Sequence, residues 1–268
     1  MKFDMHCHTK EGSIDSKVPV RRFADMFLER GYDGFMIADH NSYKGCQAWD
    51  KIKDEPEYRN LTVIRGIEYD TKDAGHVLII MPDNLYLKVF KIRGMKAEKV
   101  IRLVHDYGGI VGLAHPFGVS SSSAMGFSNM NMELIRRFDF IETFNTCESP
   151  ESNRLAEELA AKYGLPGLAG SDSHVEDYVG MAATVTERNI KSNNDFIYTV
   201  KARESIRAEG TERALTRKAI RKEHWTGRLG YLIYNRGLGK LKCPYRKYHH
   251  KKLMNFFPSR ILHHKSRA

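Results

Sequence analysis

Short, mainly apolar runs recur along the chain, and each leads into a histidine or a carboxylate. Runs of four or five such residues are typical of strands buried in a sheet. We therefore predict a strand at each run. The six runs are residues 2–5, 34–38, 61–64, 110–114, 138–141 and 166–170.

Segments with helical spacing separate these strands. Pro19 suits the first turn of a helix. After it, apolar side chains at positions 20, 23, 27 and 28 form one stripe, and Gly31 ends the predicted helix. Two further segments, residues 97–107 and 151–163, also end at glycine. This alternation of strand and helix predicts an α/β fold with a mainly parallel sheet.

Residues that could bind a ligand follow nearly every predicted strand. An open, doubly wound sheet gathers its ligand at one switch point. A closed barrel instead brings the loops at the carboxyl ends of all its strands face to face. We therefore predict a barrel, with the histidines and carboxylates at one edge.

The residue types at these strand ends are ligands of divalent metals. A single His-Xaa-His pair, such as His6 and His8, is more often a surface feature or a hydrogen-bonded core pair than a metal site. Five blocks that recur in order at strand ends are far less compatible with that alternative. The sequence therefore predicts a metal cluster.

Five blocks carry a more specific signal: DMHCHT at 4–9, ADH at 38–40, GIE at 66–68, AHP at 114–116 and GSDSH at 170–174. Together they resemble the PHP family, the polymerase and histidinol phosphatase superfamily, and especially its small stand-alone phosphoesterases. The resemblance covers roughly residues 1–205. It implies a distorted (β/α) barrel of seven strands that holds two or three divalent ions of zinc, manganese or iron.

Carried over position by position, the resemblance implies three groups of metal ligands. His76 is open to another interpretation, because it begins the apolar run 77–80 and could decorate an edge of the sheet. The first group is His6, His8, Glu68 and Asp172; the second is Glu68, His115 and His76; the third is His40, His174 and an acidic residue after His8, with Asp15 favoured over Glu11.

A few residues are predicted to act beside the metals. Asp39, His40 and His174 are the predicted catalytic residues. Asp39 precedes a ligand and could orient it or shuttle a proton to the leaving oxygen, or it could simply cap the end of its strand. Glu142 is expected next to the metal ligands or on the substrate side, and Arg65 to hold the non-reacting part of the substrate.

The positive charge is concentrated at the C-terminal end. The net charge is +10, and residues 211–268 contain 16 of the 43 Lys and Arg but only 2 of the 33 Asp and Glu. We predict two units, a barrel at residues 1–209 and a basic, partly helical extension at 210–268. Its predicted helices, 212–225 and 227–236, could cover the barrel, or the extension could bind nucleic acid or an anionic surface.

The predicted function is a metal-dependent hydrolase of phosphate esters, a phosphomonoesterase that acts on a small phosphorylated metabolite or nucleotide with metal-activated water. One alternative is a metal-dependent nuclease or phosphodiesterase whose basic extension holds nucleic acid. A further alternative is a non-catalytic module that binds polyanions. The sequence has no apolar run of about eighteen residues and no N-terminal leader, so we expect a cytoplasmic protein without a transmembrane segment.

Overall fold

The computed structural model describes residues 1–118 and 132–212, which contain nine strands and five α-helices. The strands are β1 (Lys2–Cys7), β2 (Gly34–Ile37), β3 (Thr62–Asp70), β4 (His76–Ile80), β5 (Ile110–Leu113), β6 (Phe140–Asn145), β7 (Gly167–Gly170), β8 (Ala182–Thr186) and β9 (Ile206–Gly210). The helices are α1 (Val20–Glu29), α2 (Lys44–Trp49), α3 (Ala97–Asp106), α4 (Pro150–Tyr163) and α5 (Asn193–Lys201), and short 3-10 helices cover Pro56–Tyr58, Lys88–Lys91, Met132–Arg137 and Glu176–Tyr178.

The strands form one sheet in the order β7-β6-β5-β4-β3-β2-β1-β8-β9. The pairs β1–β2, β2–β3, β5–β6 and β6–β7 are parallel, whereas β4 runs antiparallel to both of its neighbours. Cys7 at the end of β1 forms a parallel bridge with Ser173, just beyond β7. This bridge joins the first and last strands of the series β1 to β7, which therefore forms a nearly closed barrel. The predicted barrel class is confirmed.

The predicted number of seven strands is wrong, because the described residues include two more at the edge beyond β1. β8 pairs antiparallel with Lys2 and Phe3 at the start of β1, and β9 pairs with β8. Thr184 of β8 also exchanges two hydrogen bonds with the backbone of Ala169 in β7, at 2.8 and 3.0 Å. The sequences AATVT and IRAEG lack an apolar run that leads into a ligand, and most of β9 is exposed. The sequence pattern therefore did not reveal them.

The interior of the barrel is apolar away from the rim. An outer cluster packs the helices against the sheet, and there Phe27 of α1 stacks on Phe35 of β2 with ring centroids 4.9 Å apart. The predicted ligands lie at the rim where the parallel strands end. The interior cluster includes Phe3, Met5, Ile64, Leu78, Ile110, Phe140 and Leu168.

The pairing of β1 is irregular close to the rim. The pairing of β1 with β2 shifts register between Asp4 and Cys7. Met5 packs in the interior cluster, whereas Cys7 is buried in the outer cluster. Bulges of this kind re-aim side chains at the ends of strands. Here His6 can follow Met5 on the inside of the barrel, while Cys7 turns away from His6 and His8 as strand alternation predicted.

Helices that could cross a membrane are not found in the described parts of the chain. Most of the basic extension, residues 213–268, lies outside the described residues, and so do the predicted helices 212–225 and 227–236 apart from Glu212. The predicted domain boundary at residues 209 and 210 and the role of the extension stay predictions.

Candidate metal centre

The predicted ligands come together at one rim of the barrel. Parallel strands bring their carboxyl ends to the same edge. β4 runs in the opposite direction, so its first residue, His76, reaches this edge as well. The contributions are His6 and His8 at the end of β1, His40 after β2, Glu68 in β3, His76 in β4, His115 after β5, and Asp172 and His174 after β7.

Glu68 lies at the centre of this cluster, and its side chain is fully buried. Its Oε1 atom lies 2.8 Å from His76 Nδ1 and 3.0 Å from His115 Nε2. Its Oε2 atom lies 2.8 Å from His40 Nδ1. One carboxylate therefore contacts ligands from three other strands, as expected of a group that bridges two cations.

His6, His8 and Asp172 form the side of the cluster next to β7. His8 Nε2 lies 3.0 Å from Asp172 Oδ1 and 3.1 Å from His6 Nε2. The same His8 atom lies 3.5 Å from Glu68 Oε2. These four side chains, which form the first predicted ligand group, therefore converge.

Asp15, His40 and His174 form the open side of the cluster. Asp15 Oδ2 lies 3.5 Å from Nε2 of both His40 and His174. Glu11 points elsewhere, because its carboxylate accepts the backbone N–H of Val20 at the start of α1, at 3.1 and 3.2 Å. The structure thus brings Asp15 rather than Glu11 to the third predicted group.

Several sets of three side chains have ligand atoms within 4.8 Å of one another, which is close enough to share one cation. The second predicted group forms one such set. The sets are His8, His40 and His174; His6, His8 and Glu68; His6, His115 and Asp172; His40, Asp70 and His76; and Glu68, His76 and His115.

Comparison with known proteins agrees with the resemblance to PHP proteins noted in the sequence. The family model described as PHP-associated matches residues 150–205. A two-domain protein from Bacteroides vulgatus that contains a predicted PHP-like metal-dependent phosphoesterase superposes with a TM-score of 0.58 at 18% identity, over 85% of this chain and 69% of that one. The chain shares its fold with this PHP-like protein.

Other structures share the PHP fold at similarly low identity. PsfC from Pseudomonas syringae has a TM-score of 0.58 at 16% identity, over 85% of this chain and 98% of its own. The lesion-specific endonuclease PfuEndoQ from Pyrococcus furiosus has a TM-score of 0.55 at 16% identity, over 77% of this chain and 57% of its own. No curated protein matches the sequence. These similarities show the PHP fold and leave the reaction open.

The donor atoms of this cluster fit divalent cations. Imidazole nitrogens and carboxylate oxygens together suit zinc, manganese and iron. Glu68 Oε2 is buried with three imidazole nitrogens within 3.7 Å, yet it makes no hydrogen bond within the described residues. His115 Nδ1 is likewise buried without a hydrogen bond there. A carboxylate oxygen faced by several imidazoles is a natural ligand for a cation.

The electrostatics of the cluster favour the ionised forms of Glu68 and Asp172. Burial alone would raise the pKa of Glu68, but the imidazoles around it, led by His76 and His40, outweigh burial and hold that pKa well below its usual value. The pKa of Asp172 is lowered in the same way, with His6 as the leading cause against burial. Burial, together with neighbouring imidazoles, lowers the pKa of His8 to about 3, so this predicted ligand is neutral at pH 7.

Glu142 lies directly behind the cluster, next to His6 and the backbone of His115. Its Oε1 atom lies 2.8 Å from His6 Nδ1. Its Oε2 atom accepts the backbone N–H of His115 at 2.8 Å and the side-chain amide of Asn145 at 3.1 Å. Asn145 also donates to Asp172 at 3.4 Å. Glu142 thus orients the ring of His6 and the backbone of His115, both of which are predicted ligands.

Asp70 and Asn145 contact residues of the cluster but were not predicted. Asp70 Oδ1 lies 2.9 Å from His76 Nε2, and its other oxygen pairs with Arg93 Nε at 3.0 Å. Strand alternation could have revealed Asp70, because it lies two residues after Glu68 and therefore on the same face of β3. Asn145 gave no such signal, since it reaches the site through an irregularity in the pairing of β6.

Asp39 is buried, and its contacts differ from those of a proton shuttle. Its carboxylate accepts hydrogen bonds from the backbone and hydroxyl of Thr9, from the Ser13 hydroxyl and from the backbone of Gly45. Burial, which these hydrogen bonds partly offset, raises the pKa of Asp39 to about 6. The alternative of orienting neighbouring residues fits this geometry better.

Arg65 lies on the opposite face of β3 from Glu68. Its neighbours Val63 and Ile67 pack in the outer cluster, and its guanidinium pairs with Asp50 at 2.9 and 3.0 Å. The structure therefore does not bring Arg65 to the cluster. A role in holding the substrate has no support from this placement.

Two candidate ligands have a positive φ, and the backbone of His115 is strained. His115 has a φ of 26° and Asp172 a φ of 52°, values that L-residues other than Asn and Asp seldom adopt. Strain of this kind persists where surrounding contacts determine the conformation, often at functional sites. Gly170 completes this local packing, because a Cβ atom there would lie 2.3 Å from His6 Cβ.

Proposed function

We propose that this chain is a metal-dependent hydrolase of phosphate esters. One observation carries the proposal: imidazoles and carboxylates from five other strands meet around the buried carboxylate of Glu68 in β3. The structural neighbour described as a PHP-like metal-dependent phosphoesterase supports it.

Divalent cations held in such a site neutralise the charge of phosphate oxygens and make water a nucleophile at neutral pH. We infer that His6, His8, Glu68 and Asp172 hold one cation, and that Glu68 is shared with a second held by His115 and His76. A third cation would lie between His40, His174 and Asp15. The identity of the ions is proposed as zinc, manganese or iron.

The open side of the cluster indicates how a substrate approaches. His6, His8 and Glu68 are fully buried, whereas His40 and His174 are each 28% exposed and Asp15 is 51% exposed. A phosphate group would enter past these three side chains. We therefore infer that His40 and His174 position the phosphate, and that the substrate is a phosphomonoester of a small metabolite or nucleotide.

The test combines elemental analysis of the full-length protein with hydrolysis of a panel of phosphorylated metabolites and nucleotides. We expect at least about one equivalent of bound transition metal and a kcat/KM that falls by about 100-fold or more in Asp172→Asn. Asp139→Asn is the matched control, because Asp139 also pairs with a histidine, His105, at 2.8 Å but outside the cluster. Absence of bound metal, without activation by added manganese, would contradict the proposal.

A nuclease is the second candidate. Its support is the PHP-fold neighbour Endonuclease Q, solved with a 27-mer duplex that carries an abasic lesion, of which this chain spans 60%. The basic composition of residues 211–268 fits the same interpretation. The nuclease predicts cleavage of oligonucleotides at a rate that falls steeply with added salt. Hydrolysis of monoesters without any cleavage of oligonucleotides would reject it.

A further inference from the structure

A basic segment of the chain lies beside the metal cluster. Residues 88–99 contain five Lys and Arg, at positions 88, 91, 93, 96 and 99, but only one acid, Glu98. The Oε1 atom of Glu98 already faces two other cations, Arg102 at 3.4 Å and Arg137 at 3.6 Å. The segment therefore carries an excess of positive charge that its own acid does not offset.

Backbone hydrogen bonds hold this segment against the end of β3. The N–H of Gly94 donates to the carbonyl of Asp70 at 2.8 Å, and the N–H of Lys72 donates to the carbonyl of Met95 at 2.9 Å. The Tyr69 hydroxyl adds two more hydrogen bonds to the backbone of the segment, at 2.7 and 2.9 Å. Since β3 ends at the rim that holds the predicted metal ligands, the segment is fixed at the same rim.

Asp70 connects the segment with the open side of the cluster. Asp70, His40 and His76 have ligand atoms within 4.8 Å of one another. The Oδ2 atom of Asp70 pairs with Arg93 Nε at 3.0 Å, and the Arg93 side chain is 25% exposed. His40 is one of the side chains past which a phosphate would enter, so a single carboxylate separates Arg93 from the proposed entrance.

Lys72 and Lys96 extend the positive charge along the rim, and both are exposed. Lys72 follows Asp70 by two residues, so their Cα atoms lie at most about 7 Å apart. Lys96 directly follows Met95, whose carbonyl accepts the Lys72 N–H. The acid beside Lys72, Asp73, accepts the first N–H of α3 at 2.8 Å. Two ammonium groups are thus held near the Arg93–Asp70 pair.

We propose that Lys72, Arg93 and Lys96, here called the basic strip, bind a second phosphate group of the substrate. Ammonium and guanidinium groups form charge-assisted hydrogen bonds with phosphate oxygens. This binding role rests on the function proposed above, because it names the substrate class of the same site. The reacting phosphate enters past His40 while a further phosphate of the same molecule lies on the basic strip.

The charges at this part of the rim favour such a substrate. Asp70 alone would repel an anion that extends past His40, but Arg93 offsets that charge. A substrate with one phosphate would be held at the cluster alone, whereas one with two would contact both surfaces. A bisphosphorylated metabolite and the backbone of an oligonucleotide both offer this chemistry.

The first experiment locates the anion directly. We expect titration of full-length, metal-free, ¹⁵N-labelled protein with inorganic pyrophosphate to shift the backbone amide NMR signals of Lys72, Gly94 and Lys96. The amide signal of Lys191, which is exposed near the opposite end of β3, is the reference. Signals of the basic strip that move no more than that of Lys191 would overturn the proposal.

The second experiment compares inhibitors that differ by one phosphate. Fructose 6-phosphate and fructose 1,6-bisphosphate form one pair, and a 5′-mononucleotide and the corresponding 5′-phosphorylated dinucleotide form the other. Each is tested against hydrolysis of p-nitrophenyl phosphate by the metal-loaded protein. We expect the second phosphate to lower Ki in at least one pair, and the pair that responds distinguishes a metabolite from an oligonucleotide. No decrease in either pair would overturn the proposal.

The variant Lys72→Gln/Lys96→Gln removes two charges of the basic strip. An exposed ion pair changes affinity by up to about 5-fold, so we expect this variant to reduce the advantage of the second phosphate by about 3- to 20-fold. Lys72→Arg/Lys96→Arg keeps both charges and should retain the advantage. Added salt should weaken it in the wild-type protein, because exposed charges are screened.

Lys191→Gln/Lys201→Gln is the matched control, because it removes the same charge at the other end of the barrel. Lys191 follows Ile190, whose carbonyl accepts the hydroxyl of Thr62 at the start of β3. Lys201 donates to the carbonyl of Gly108, two residues before β5. We expect the control to keep the full advantage of the second phosphate. Equal advantages in the two glutamine variants would overturn the proposal.

Failure of the wild-type protein to hydrolyse any phosphate ester would refute the proposed function. The pyrophosphate titration does not depend on hydrolysis or on bound metal, so it would then judge the basic strip by itself.

Discussion

Replacement of Glu142 by glutamine tests whether this carboxylate orients the ligands. All three partners of Glu142 face it with hydrogens: His6 Nδ1 and the His115 backbone at 2.8 Å, and the Asn145 amide at 3.1 Å. A glutamine amide has only one oxygen. If its NH₂ group faces His6, the ring must carry its proton on Nε2 and loses the lone pair directed at the cluster. If the NH₂ faces the other side, two donors lose their acceptor.

The magnitude follows from these two outcomes. A buried donor without an acceptor costs about 1–3 kcal/mol. For a domain of this size, that corresponds to a decrease in Tm of roughly 2 to 12 °C in the metal-free protein. The change of tautomer at His6 should also weaken cation binding by about 10- to 100-fold, as expected for a partner of a metal ligand.

Thermal unfolding of metal-free protein and calorimetric titration with zinc or manganese measure the two effects separately. Glu151→Gln is the control, because Glu151 is exposed on α4 and pairs only with Arg154 on the same helix among the described residues. An affinity and a Tm of Glu142→Gln that both match the control would refute the assigned role of Glu142.

Three further predictions concern the same region. Gly45→Ala should lower the free energy of unfolding by about 1–3 kcal/mol, because the added methyl group would lie 2.3 Å from both Asp39 Oδ2 and Thr9 Oγ1; Gln47→Ala, an exposed site on the same helix, should not. Removal of bound metal by a chelator should lower Tm, with a loss of about 2.7 kcal/mol for a cation present at 100 times its Kd, and an unchanged Tm would count against a metal centre. Cation binding at pH 7 should release protons. Burial lowers the pKa of His76, but the carboxylates of Glu68 and Asp70 outweigh burial and raise that pKa to about 10. His76 must lose its proton before it can bind a cation. Affinity should then increase with pH, and calorimetry in two buffers of different ionisation enthalpy measures the released protons.

The sequence by itself determined where the ligands lie along the chain. His6, His40 and His115 each follow a short, mainly apolar run, so each was predicted at the end of a strand. Parallel strands share one edge, and that general property was sufficient to predict a common site. The helices after Pro19 and before Gly164 were likewise predicted from local signals, because apolar spacing and a closing glycine mark each of them within a few residues.

The tertiary structure alone decided which partners these ligands have. The contacts of Ser13 with His8 and Asp39 join residues up to 26 positions apart, and those of Glu142 with His6 span 136 positions. Such pairs depend on strand order, on register and on the irregularity in β1, none of which is encoded in a local pattern. For the same reason Arg65 was assigned to the site on sequence alone, although strand alternation and Asp50 hold it on the outer face. Hydrophobic pattern is a local property of the chain, whereas the direction of a polar side chain is set by neighbours that only folding brings near.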